Sequence, residues 1–90
     1  MTDLPKDPTP EGLMLIEAVE NQIKSGDPIE TTKTLERLMA LGEDRENAIK
    51  YISNALAVEV FGALKHSQEY DEERYIKNLK QLPDLSFLDG

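Results

Sequence analysis

Ninety residues are enough for one domain and too few for two. The chain has no cysteine, which excludes a disulfide framework and any thiolate metal or redox site. Its net charge of −8 disfavours nucleic acid and anionic membrane as partners, because a negative domain is repelled by phosphate.

The charge is uneven. Residues 1–30 carry −5, residues 31–65 are neutral, and residues 66–90 carry −3. No apolar run approaches the roughly 20 residues needed to span a bilayer. MTDLPKDPTP has no basic region ahead of an apolar core, so no signal peptide is expected and the cytoplasm is the default location.

Met1 to Pro8 combines charge with two prolines and is expected to form a flexible arm of residues 1–8. A single helical domain is expected over 9–90. Thr9-Pro10 reads as an N-cap followed by proline at the first helical position. Leu13, Ile16, Val19 and Ile23 form the stripe of a first helix over 10–25, which Gly26 ends. Asp27-Pro28 starts a second helix over 28–41, with Asp27 as cap and Leu35, Leu38, Met39 and Leu41 as its apolar positions. Gly42 stops it.

The longest segment without proline follows, DRENAIKYISNALAVEVFGALK. Asp44 caps it, and the expected helix covers 45–65 in about six turns. Ile49, Ile52, Leu56 and Val60 lie on one face. The other side carries Tyr51, Val58 and Phe61 beside Gly62. A helix apolar on two sides is sandwiched between neighbours or meets a partner. Asp71 then caps a fourth helix over 72–82, with Tyr70 and Tyr75 spaced as a hydrophobic staple. Ile76 and Leu79 face inward, Pro83 stops the helix, and the tail 83–90 docks through Leu85, Phe87 and Leu88. Nowhere does alternation persist as in a strand. The expected fold is an all-α, compact four-helix bundle with a long central third helix and about two-thirds helical content, above the globular average.

Two charged positions invite chemistry. Glu59 falls among Ile52, Ala55, Leu56 and Ala63, where a carboxylate is costly unless paired. Arg37 and Arg74 are its candidate partners, and the expected result is a buried ion pair that fixes helix register. His66 is the only histidine. At a helix C-terminus its protonated form suits the dipole. A ligand-binding, metal-binding or enzymatic site near Glu59, His66 and Arg74 is the alternative. One histidine, no cysteine and no glycine-rich loop weigh against it. No cofactor and no metal are expected.

LMALGEDRENAIKY has a helix–turn–helix cadence, but Asp44 and Glu46 occupy the would-be recognition positions and repel phosphate. The pattern ERLMALGEDRENAIKYISNALAVEVFGALK, then YDEERYIKNLKQLP, resembles a small family of bacterial helical proteins of unknown function over about residues 28–83. That resemblance implies a bacterial all-α domain and brings no activity with it. The function expected from the residues is a non-enzymatic protein–protein interaction module. Its partner is another protein or a second copy, because a marginal small bundle gains from association. Tyr51, Val58, Phe61 and Gly62 are the interface candidates; the alternative is that the first helix, through Met14 and Leu15, and the tail, through Phe87 and Leu88, cover this face within one chain.

Overall fold

A computed structural model describes residues 9–66 and 68–89, with the side chains of 64–66 and 89 outside the description. The expected arm of residues 1–8 therefore lies outside the described residues. Four helices follow in order: α1 Pro10–Ser25, α2 Ile29–Ala40, α3 Arg45–His66 and α4 Glu72–Gln81. A 3₁₀ turn, Ser86–Asp89, closes the described chain. The architecture is an all-α bundle. The long α3 is its axis, packed against α1, α2 and α4, while α2 also meets α1 and α4.

Local chemistry sets the ends. The Thr9 hydroxyl accepts from Gly12 N at 3.0 Å and starts α1. Gly26 adopts φ 70°, a left-handed turn without a Cβ penalty, and its N–H donates to Gln22 and Ile23 carbonyls. Asp44 Oδ1 accepts from Asn47 N at 2.7 Å. Asp71 Oδ1 accepts from Arg74 N at 3.1 Å. Asp27 does not cap α2. Pro28 holds the N-cap position with an extended backbone and offers no side-chain acceptor, so the helix begins one residue late, at Ile29. It ends at Ala40, and Gly42 turns the chain with φ 107°.

The core gathers Leu15, Val19, Leu35, Leu38, Ile49, Ile52, Leu56 and Leu79, with Ala48 and Ala55 allowing close approach and Tyr75 and Leu82 completing it. Leu13 was expected inside and is 55% exposed, while Leu15 takes the buried position. The reason is that α1 lies against α2 as well as α3. Its buried centre is therefore rotated about one position from the stripe through Leu13. Ile16 and Ile23 sit at the border, half-buried. Val60, also expected inside, is 37% exposed, and Ile76 is half-buried. Leu85 and Phe87 of the tail pack on the core, whereas Leu88 stays exposed.

Candidate functional site

Glu59 is 1% exposed and stands about one turn into the second half of α3, opposite the start of α4. Its Oε2 accepts from Arg74 Nε at 2.6 Å and its Oε1 from Arg74 Nη2 at 2.7 Å. The backbone N–H of Asp71 adds a third bond to Oε1 at 2.9 Å. The pair is a bidentate fork, the strongest geometry for arginine and carboxylate. The carboxylate also faces the positive end of α4, which favours an anion there. Hydrogen bonding to Glu59 raises the Arg74 pKa above its ordinary value. Burial, and then the charges of Glu72, Glu59 and Asp27, raises the neighbouring Tyr70 phenol. The Tyr70 and Tyr75 rings lie 6.2 Å apart, one before the cap and one at the fourth helical position.

Arg37 does not join this pair. It turns to the other end of α4, where Nη1 donates to Leu82 O at 2.6 Å and Nη2 to Leu79 O at 2.9 Å. Carbonyls at a helix end lack intrahelical donors and carry the negative end of the dipole, so a guanidinium there satisfies both. His66 closes α3, and its side chain lies outside the described residues, so the trio of Glu59, His66 and Arg74 is described only as far as Glu59 and Arg74. Among the described residues, no three potential ligands from His, Cys, Asp and Glu are placed to hold a metal ion.

A second polar cluster has no counterpart in the sequence reading. The Tyr75 hydroxyl donates to Gln22 Oε1 at 2.7 Å, and Thr31 Oγ1 donates to the same oxygen at 2.8 Å. The two hydroxyls are 3.3 Å apart. The cluster joins α1, α2 and α4 inside the core, and burial pushes the Tyr75 phenol up to about 12. The one local signal was threonine at positions 31 and 34 of a helix, poor formers there unless their hydroxyls face inward.

The interface candidates occupy intermediate positions. Tyr51, Val58 and Phe61 are half-buried, and Tyr51 and Phe61 pack on the core. Gly62 is buried, and its missing side chain is used within the chain. A Cβ there would stand 2.7 Å from Gln68 Oε1. Gln68 N also donates to Gly62 O at 3.2 Å, so Gln68 sits over this glycine with both backbone and side chain.

Phe61 forms part of a groove between α1 and α3. At one end is a cavity of about 190 Å³ whose apolar walls include Leu15, Ile16, Ala57 and Phe61. Ser53 and Asn54 also line it, but both donate to carbonyls of their own helix, Ile49 and Lys50. A second hollow between the same helices is lined by Leu13, Ile49 and Arg45, whose guanidinium grips Glu20 through two bonds of 2.7 Å. Those bonds hold the Glu20 carboxyl below its ordinary pKa. Ile16 and Lys50 border both parts.

Compared with protein-family models, curated proteins and solved structures, the chain matches none. No described helix is long and apolar enough to cross a membrane.

Proposed function

We propose that the chain is a non-enzymatic protein–protein interaction module that works through the α1–α3 face. The observation that carries this reading is Leu13. It is 55% exposed on the lip of an apolar groove, a position where a side chain of that size contributes little to its own fold. The buried polar groups support the same reading from the other side. Glu59 is engaged by three N–H donors, and the Tyr75 and Thr31 hydroxyls close on Gln22. Both arrangements tie helices together. Tyr51, Val58 and Phe61 are each only partly covered by their own chain, so a second copy is one partner the reading admits.

A photo-crosslinking residue at position 13 tests the reading in extract of the native host. Lys33, exposed on α2, is the control position. The expected result is a discrete adduct from position 13 and none from position 33. Adducts from both positions, or from neither, count against an interaction module acting through this face. Light scattering of the purified chain at high micromolar concentration shows whether the partner is a second copy, in which case Phe61→Glu yields monomers.

A further inference from the structure

We propose that the α1–α3 groove receives a basic amphipathic helical segment of another protein, with one bulky apolar side chain seated in the cavity beside Phe61. This rests on the reading of the chain as an interaction module and names the chemistry of its partner.

Size selects the anchor. A cavity of about 190 Å³ is near the roughly 150 Å³ that accepts a benzene ring, and below the roughly 300 Å³ at which pockets for larger ligands begin. It therefore fits one leucine- or phenylalanine-sized group. Length selects a helix. From Phe61 to Glu46 the α3 side of the groove runs about 22 Å at 1.5 Å per residue, or roughly four turns of a docked helix. Leu13 and Ile16 then meet the partner's next apolar positions along the groove.

Charge selects the sign. The two cations of the groove already face acids: Arg45 is bound by Glu20, and Lys50 lies 3.6 Å from Glu46. Glu11 remains on the cavity rim, exposed, so the acids along the groove, Glu11, Glu20 and Glu46, outnumber its cations, Arg45 and Lys50, by one. The whole chain carries −8. A second copy brings another −8 to the contact and is disfavoured, whereas a lysine- or arginine-rich segment is drawn in.

The test uses the full chain and three synthetic 14-residue peptides. The first has leucines at helical spacing with lysine elsewhere, the second replaces lysine by glutamate, and the third scrambles the leucine order of the first. Amide shifts are followed by NMR at 50 and 300 mM salt. The lysine peptide is expected to bind in the micromolar range, moving Leu13, Ile16, Ala57 and Phe61, and to weaken at least tenfold at the higher salt. Leu13→Ser, at an exposed position, and Ala57→Met, which fills the cavity, should each weaken it at least tenfold without lowering the melting temperature by more than a few degrees. Equal binding of the scrambled peptide, binding of the glutamate peptide, shifts mapping elsewhere, or no shifts at all overturns the inference. So does a dimer dispersed by Leu13→Ser, because the occupant is then a second copy. That last outcome leaves the interaction-module reading standing, and the crosslink at position 13 decides that reading separately.

Discussion

Among single residues, Glu59 concentrates the most electrostatics. Removing it leaves Arg74 and the Asp71 N–H without their acceptor, and truncating a buried charged partner is strongly destabilising. Because Arg74 is partly exposed and can be rehydrated, Glu59→Ala is expected to cost only about 1–2 kcal/mol, read by urea denaturation. Glu59→Gln keeps an acceptor in place and should cost less. Equal stability of Glu59→Ala and wild type would show that the fork contributes nothing. Tyr75 offers a pH handle. Its folded pKa stands at about 12 against 10.0 for a free phenol. Because the folded value is raised, its contribution is complete below pH 10 and disappears as the pH climbs toward 12. That interval corresponds to about 3 kcal/mol. In Tyr75→Phe the part of the alkaline transition assigned to this phenol should vanish, while at pH 7 the lost hydroxyl costs about 1 kcal/mol. An unchanged alkaline transition would place its origin in other groups.

Along the elements, the caps behave as local units. Asp44→Ala removes the acceptor for Asn47 N and is expected to cost about 1 kcal/mol in thermal unfolding. Gly62→Ala acts differently. The added methyl meets the end of the Gln68 side chain, so Gln68 must move, and the turn between α3 and α4 should show shifted amides while the melting temperature changes little. These differences explain what the sequence made legible. Thr9, Asp44 and Asp71 could be read as caps because each acts on a residue three positions ahead. The breadth of apolar character in α3 announced a helix with neighbours on several sides. The rotation of α1 was not legible, since Leu13 and Leu15 are equally apolar and only contact with α2 and α3 together decides between them. Nor was the target of Arg37, whose acceptors are backbone carbonyls that no side-chain pattern encodes. The Tyr75–Gln22 bond spans 53 positions and joins residue types that are mostly found on surfaces.

At the scale of the molecule, a net charge of −8 sets how the protein meets others. No shift of duplex DNA or RNA is expected in a gel assay at physiological salt, and a sub-micromolar, salt-sensitive shift would contradict this. Arg37 of α2 and Arg74 of α4, one at each end of α4, lead further. Helix α4 has only ten residues, short of what holds together alone in water. Yet its first turn is gripped from α3 by Glu59 and its last carbonyls from α2 by Arg37. With both ends fastened to different helices, neither end is free to fray first. Native-state hydrogen exchange should therefore find the α4 amides opening in one step with α2 and α3, at the free energy of complete unfolding, instead of in a gradient along the helix. Releasing one end gives the motion a direction. Arg37→Ala should let exchange spread backward from Gln81, and Glu59→Ala should let it spread forward from Glu72, so the same ten residues would unzip from opposite ends depending on which side chain is missing.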